Sequence, residues 1–405
     1  MQIYLVGGAV RDRLLGRPIR ERDFLVVGAT PEQMLKLGYQ QVGRDFPVFL
    51  HPQTHEEYAL ARTARASTET NEQAGPCATS TVTLEEDLER RDLTINAMAE
   101  SEQGGLIDPF GGRKDLEERI LRHVSASFTE DPIRVLRVAR FMARYHELRF
   151  EVAQETMALM TRMVERGSLD SLVPERVWQE LHGALSTDNP TPFFATLRDC
   201  GALARIIPEL DRLWGVPQPV NWHPEIDCGA HSMMALQTAC DLSESIEVRF
   251  AALTHDLGKG LTPMAFLPSH SGHEERGAGL IGEMCKRLRA PTNFRQLAEQ
   301  SARFHTHCHR LDELKPRTIL KVLEKMAAFR HPERFRDFVL VCEADYRGRK
   351  GFENRDYPQA GRFLRFLKIA SQVDRSSLAD IPQGKAVGLA LHDLRLSAIK
   401  ATVQN

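Results

Sequence analysis

The chain has 405 residues, with 53 Lys plus Arg against 55 Asp plus Glu and a formal charge of -2. That length supports more than one domain, and the near balance excludes wholesale cationic binding of nucleic acid while leaving room for a local basic cleft. No basic-apolar-small leader opens the chain and no apolar run reaches the roughly 18 residues of a membrane span, so a soluble, cytoplasmic protein without a membrane partner is expected.

Ile3 to Val6 reads as a short strand, followed by Gly7-Gly8-Ala9-Val10-Arg11-Asp12. The glycine pair lets the backbone turn and approach a ligand closely. Val10 to Leu15 can begin a helix whose first amides face that turn, a natural place for phosphate. Glu21 and Asp23 then alternate just ahead of the apolar run Phe24 to Val27, so both carboxylates project to one side. Paired acids repel, and a hard cation bridged to substrate phosphates is the usual reason to keep them. The plain alternative is an edge strand with its acids in water.

Gly7-Gly8-Ala9-Val10-Arg11-Asp12-x-Leu14-Leu15-Gly16 followed by acid-x-acid resembles the signature of the polymerase-beta-like branch that contains bacterial CCA-adding enzymes, tRNA nucleotidyltransferases of the second class. The resemblance implies that Glu21 and Asp23 are catalytic and hold Mg2+, and that Gly8 and Arg11 belong to the nucleotide site. Glu21 stands where the family pattern has Asp. Metal positioning for in-line transfer is sensitive to one methylene, so a Glu21→Asp variant is expected to transfer faster with little change in tRNA affinity.

Val42 to Leu50 and Glu57 to Arg62 read as strands, with a turn at 51–55. Glu57 is a candidate third carboxylate, as the resemblance implies, although neighbouring Glu56 has equal chemical claim. Ala66 to Thr83 is polar, contains Gly75-Pro76 and reads as an exposed loop. Arg90-Arg91-Asp92-x-Thr94-x-Asn96-Ala97 matches the family's second motif. Arg91 can neutralise triphosphate oxygens through its fork, Asp92 can orient that arginine or a sugar, and Asn96 can supply a neutral partner. A surface salt-bridge network is the alternative. Asp108 to Leu116 resembles the third motif and is assigned a structural turn.

From about Phe128 the pattern is helical, and Glu130-Asp131-Pro132 fits a helix start. Arg134, Arg137, Arg140 and Arg144 form one face, with Val135, Leu136, Val138, Ala139, Phe141 and Met142 for packing. Such a face needs phosphate or carboxylate to answer it. Glu130-Asp131-x-x-Arg134 resembles the motif with which the family reads the Watson–Crick edge of the incoming base, implying selection of C and A by Asp131 and Arg134, with Arg137 and Arg140 near base or phosphate. Leu172 to Leu185 reads as a helix with Trp178 in the core, 193–213 as further amphipathic helix, and Trp214 to Val220 as a linker.

Histidines concentrate after it. His255-Asp256-Leu257-Gly258-Lys259, with His231 upstream and Asp345 downstream, can complete a hard divalent site. The pattern resembles an HD metal-dependent phosphohydrolase, implying His231, His255, Asp256 and Asp345 as ligands of Ni2+ or Mg2+, with His270, His273 and His305 as candidates for phosphate or a second ion. Gly348-Arg349-Lys350-Gly351-Phe352-Glu353 touches RNA or ends a helix. The seven cysteines are odd in number and lack C-x-x-C spacing, so they read as reduced structural thiols.

The expectation is an α+β chain: a polymerase-beta-like nucleotidyltransferase head over 1–127, an all-helical neck over 128–215, an all-helical HD domain over 216–347 and a helical tail over 348–405. The resemblance implies addition of CCA to tRNA from CTP and ATP, with HD phosphatase, 2'-nucleotidase and 2',3'-cyclic phosphodiesterase activity, by a monomer or homodimer. Alternatives are an RNA-binding metal phosphohydrolase whose head is impaired by Glu21, a poly(A) polymerase, and a non-catalytic RNA-binding scaffold.

Overall fold

Alternating apolar residues in the first sixty positions build a sheet with two dry faces. The computed structural model describes residues 1–19, 21–42, 48–61, 81–378 and 384–403; the expected loop from Ala66 falls outside them except for 81–83. The described chain divides into two units, Met1–Ser171 and Leu172–Asn405.

In the first unit the elements run β1 (Gln2–Val6), α1 (Gly8–Leu14), β2 (Asp23–Val27), α2 (Pro31–Lys36), β3 (Gln40–Val42), β4 (Val48–Leu50), β5 (Glu57–Leu60), α3 (Leu84–Glu89), β6 (Ala99–Ser101), β7 (Leu106–Ile107), α4 (Gly112–Glu118), β8 (Ile120–Leu121), α5 (Ile133–Arg144), β9 (Glu151–Val152) and α6 (Gln154–Glu165). Among the described residues the main sheet has the order β3-β4-β5-β2-β1-β6-β7. β2 is antiparallel to β1 and parallel to β5. Leu25 of β2 joins Val6, Ala99, Leu84 and Leu88 on one face, while Val26 joins Met34, Phe49, Tyr58 and Leu60 on the other. The period of two sorts each strand between these layers.

The single strand expected over 42–50 is instead two: β3 and β4 pair antiparallel, Val42 against Val48, and 43–47 between them lies outside the described residues. Gly43 and Pro47 bracket that segment, and a proline cannot donate to a continuous ladder. The strand from Glu57 ends at Leu60, and Arg62 is also outside the described residues. α5 buries Val135, Leu136, Val138, Ala139 and Phe141, as its spacing predicts, whereas Met142, expected with them, is only partly buried.

The second unit is helical: α7 (Pro174–Leu185), α8 (Thr191–Asp199), α9 (Ala202–Ile206), α10 (Pro208–Asp211), α11 (Cys228–Leu242), α12 (Ile246–Thr254), α13 (His273–Arg287), α14 (Thr292–His309), α15 (Pro316–Lys325), α16 (Pro332–Arg347), α17 (Pro358–Ser371) and α18 (Lys385–Val403). α11 packs on α12 and α16, and α14 packs on α12, α13 and α16. Trp178 is core, edge-on to Phe250 and Phe294. The expected linker after Trp214 is packed instead: Gln218 is buried, its amide bonds the Ile226 carbonyl at 2.8 Å, and Pro217 bridges Asp227. Its prolines shape a bend onto α11, not a tether. No described helix is long and apolar enough to cross a membrane.

Candidate functional sites

Asp23 opens β2, facing Val6 across the antiparallel pair and Glu57 across the parallel one. Register partners in a sheet share a face, so Glu57 stands on the side of Asp23. Alternation turns Glu56 the other way, where it accepts from the Thr54 hydroxyl at 2.9 Å and lies 3.8 Å from Arg22. Register thus separates the two glutamates that composition could not. Partial desolvation pushes the Asp23 carboxyl above its usual range; Arg91 pulls it back and Glu21 pushes it up again. Crowded carboxylates of this kind fit a hard divalent cation, which would relieve the repulsion.

Arg91 completes this edge. Gly7 has φ +67°, and a Cβ there would lie 2.7 Å from Arg91 Nη1. Glycine therefore serves both the turn and the close passage of the guanidinium. Arg91 makes only long bonds, to the Asn96 carbonyl at 3.4 Å and Asp87 at 3.5 Å, and its buried Nε has no partner among the described residues. A guanidinium so lightly committed is chemically ready for an anion.

The remaining head residues form a buried chain of charges. Arg11 is 4 % exposed and donates from Nε to Asp12 at 2.8 Å and from Nη1 to Asn96 at 2.5 Å. Asn96 donates to Asp92 at 2.9 Å, and Arg137 donates to the other Asp92 oxygen at 2.8 Å. Burial opposes the Asp92 charge, yet Arg137 and the Asn96 and Leu93 donors hold its pKa below the usual range. Arg144 reaches Asp12 at 2.9 Å. Carboxylates therefore answer much of the basic face of α5. Of the two roles open to Asp92, orienting Arg91 or a sugar, the first falls to Arg137 instead, because α5 brings the Arg137 fork within bonding distance.

Arg134 donates to the carbonyls of Ser127 at 2.7 Å and of Arg90 at 2.5 Å, which ties it to the backbone just before Arg91. Asp131 accepts the Ile133 amide at 3.3 Å. Arg140 lies with its Cζ 5.2 Å from the Phe141 ring centroid. Gly8 opens α1, with the Arg11 guanidinium beside it.

In the second unit, α11, α12, α14 and α16 converge on a histidine and aspartate cluster. His231 Nε2 lies 3.1 Å from Asp345, and His255 Nε2 lies 3.1 Å from Asp256 and 3.7 Å from Asp345. His273 and His305 approach Asp256 at 3.3 and 3.6 Å. The Nδ1 atoms of His255, His273 and His305 sit 2.7 to 3.0 Å from backbone carbonyls. A carbonyl only accepts, so Nδ1 carries the proton and each Nε2 is left as a lone-pair donor. His255 Nε2 and Asp256 Oδ1 are buried without a hydrogen-bond partner among the described residues. Such orphaned atoms fit a bound cation, and four overlapping triads hold candidate ligand atoms within 4.8 Å of one another.

Burial opposes the charges here, but Asp256 and Asp345 together raise the His255 pKa, while Asp256 itself is held well below its usual range by His255 and Lys259. Gly258 permits the arrangement: a Cβ would stand 2.0 Å from the His273 carbonyl oxygen. His270 is differently placed, with its two nitrogens on the Thr262 hydroxyl at 2.8 Å and the Pro217 carbonyl at 3.0 Å. It braces the bend and offers no free ligand atom, which counts against a direct role for it.

Sequence reading missed His309, 2.6 Å from Asp345, although its spacing of four from His305 on one helix was a usable signal. It also missed Glu225, whose carboxylate lies 3.0 Å from His223 and 2.9 Å from His231 Nδ1. Burial pushes the His223 pKa down to about 3.

Comparisons with known proteins find matches across both units. The family described as "Poly A polymerase head domain" matches residues 3–122, "Probable RNA and SrmB- binding site of polymerase A" matches 149–213, and "HD domain" matches 229–329. The Multifunctional CCA protein of Thioalkalivibrio sulfidiphilus is 59% identical over 404 residues, covering 99% of this chain and 98% of its own. That of Methylococcus capsulatus is 56% identical over 402 residues, covering 99% and 95%. In fold, the chain is similar to a CCA-adding enzyme solved with ATP, with TM-score 0.65 at 20% identity over 98% of this chain and 86% of the other. The Thermotoga maritima CCA-adding enzyme complexed with tRNA gives TM-score 0.61 at 20% identity, over 99% and 87%.

Proposed function

The chain belongs to the multifunctional CCA protein family, and from that premise we propose that it adds C, C and A to the 3' end of tRNA, using CTP and ATP and releasing pyrophosphate. The observation that carries the reading is the acidic end of β2, where Asp23 feels the charges of Arg91 and Glu21 and has Glu57 as its register partner on β5. Glu21, Asp23 and Glu57 would hold Mg2+, whose bound charge would neutralise the triphosphate. The tRNA terminal hydroxyl loses its proton to solvent as its oxygen bonds the α-phosphorus, the α–β bridging bond breaks, and pyrophosphate departs. Arg91 binds the departing phosphates through its fork.

Asp131 and Arg134 select the base. The carboxylate accepts from the exocyclic amine that cytosine and adenine share, and the N–H groups of Arg134 not spent on carbonyls donate to ring nitrogen or carbonyl. Arg137, linked through Asp92 and Asn96 to Arg11, belongs with Arg140 and Gly8 to the same nucleotide site. We assign 1–127 to the head, 128–215 to the neck, 216–347 to the HD domain and 348–405 to the tail. The tRNA backbone would be recognised by shape and charge, in the cytoplasm.

We further propose that His231, His255, Asp256 and Asp345 hold a divalent ion, Ni2+ or Mg2+, with His273 and His305 beside it. The ion would polarise a phosphate ester and acidify water, giving phosphatase, 2'-nucleotidase and 2',3'-cyclic phosphodiesterase activity. The transferase reading is tested by Asp23→Asn. It is expected to lower incorporation of CMP into tRNA lacking CCA by at least about a hundredfold while tRNA affinity stays within twofold, as read by filter binding. Unimpaired incorporation would refute it.

A further inference from the structure

The stretch from Gly348, read as touching RNA or ending a helix, does end one. α16 ends at Arg347, and Gly348 presses so closely on α11 that a Cβ there would lie 2.7 Å from Ala235 Cα. Arg349 therefore turns inward. It is 7 % exposed, too buried for the surface of a folded RNA, and it lines a cavity of about 750 Å³ that also contains Asp256 and Asp345. Its Nη2 donates to Asp345 at 3.1 Å, and its buried Nε has no partner among the described residues. An arginine with an unspent, desolvated donor beside a candidate metal cluster is built to meet an entering anion. Lys259, bonded to Asp256 and Gln218 at 2.6 and 2.8 Å, lines the same cavity.

The cavity is larger than a phosphate requires. Liquid water takes about 30 Å³ per molecule, and a five-heavy-atom phosphate needs only a few times that. Part of the remaining wall is aromatic and cationic. Arg355 places its Cζ 3.7 Å from the Phe352 ring centroid, and Trp222 is 67 % exposed; all three line the cavity. An exposed indole and a guanidinium stacked on a ring are surfaces on which nucleobases stack.

Building on the phosphohydrolase reading, we propose that this cavity is a nucleoside-phosphate site in which Arg349 grips the phosphate, while Trp222 and the Arg355–Phe352 stack hold the base. The HD unit then selects nucleotides over simple phosphate esters by base stacking, independently of the cluster that hydrolyses them.

The test compares adenosine 2'-monophosphate with glycerol 2-phosphate, which has no base, on the full chain supplied with Ni2+, Mn2+ or Mg2+. Trp222→Ala and Arg355→Ala are expected to raise KM for the nucleotide about tenfold and leave kinetics with glycerol 2-phosphate unmoved. Arg349→Met is expected to lower kcat/KM for both esters about a hundredfold, with Arg349→Lys restoring part of it. Equal effects of Trp222→Ala and Arg355→Ala on both esters, or none on either, would overturn the proposal. If the unmodified protein hydrolyses neither ester, the phosphohydrolase reading fails, and equilibrium dialysis of adenosine 2'-monophosphate decides the subsite. Binding about tenfold weaker in Trp222→Ala supports it, and equal binding overturns it; any affinity of the first unit is common to both proteins and cancels.

Discussion

Two carboxylates of the first unit are held in opposite directions, and the contrast separates function from scaffold. Asp23, partly desolvated and further opposed by Glu21, is pushed above its usual range, whereas Asp92, paired with Arg137, is held below. A depressed carboxylate stabilises the fold above its unfolded value of about 3.9, and that contribution is lost as pH falls through the lower folded value. Asp92→Asn is therefore expected to cost about 2 kcal/mol at pH 7. That is less than the roughly 3–5 of a fully buried pair, because Arg137 is partly solvated. The gap from the unmodified protein should shrink below about pH 4. Urea midpoints at pH 7 and pH 3 check this, and an equal gap at both would contradict it. Which arginine Asp92 serves was not legible in the sequence, since Arg137 lies 45 residues away. Local motifs display their own members clearly and their distant partners hardly at all. Glu57 against Glu56 was undecidable for the same reason, until strand register separated them.

At the scale of elements, helix periodicity carried α5 and α7 well, because both pair an apolar stripe with a polar one. It failed on the segment after Trp214, where prolines look like a tether and the buried Gln218 shows packing. That bend places Glu225 against His231, 2.9 Å from Nδ1, and a carboxylate there fixes the ring and raises the basicity of the opposite nitrogen. Glu225→Gln is expected to weaken Ni2+ or Mn2+ binding about 10- to 100-fold, measured calorimetrically, with the melting temperature of the metal-free protein little changed. Unchanged metal affinity would show that Glu225 does not act through His231. The sequence offered His231, His255, Asp256 and Asp345 as a set, yet the groups that orient the cluster's histidines, Glu225 across the bend and carbonyls three or four residues back along the chain, carry no side-chain pattern of their own.

Across the whole molecule, the two candidate centres lie in separate compact units, and no residue is shared between them. Their chemistries should therefore be separable by mutation. His255→Ala is expected to abolish hydrolysis of 2',3'-cyclic nucleotides while CMP and AMP incorporation into tRNA stays within about twofold, the size of a remote, non-additive effect. Joint loss of both activities with an intact fold would contradict that separation. The central claim is that protein side chains, without a nucleic-acid template, choose C and then A. Its most direct test supplies purified protein and Mg2+ with tRNA lacking its CCA end, and with CTP, ATP, GTP or UTP singly and then CTP with ATP, resolving products to one nucleotide. Two C residues are expected with CTP alone, a completed CCA with both, and nothing with GTP or UTP. A run of A from ATP alone, or no incorporation under any combination, would contradict the central claim.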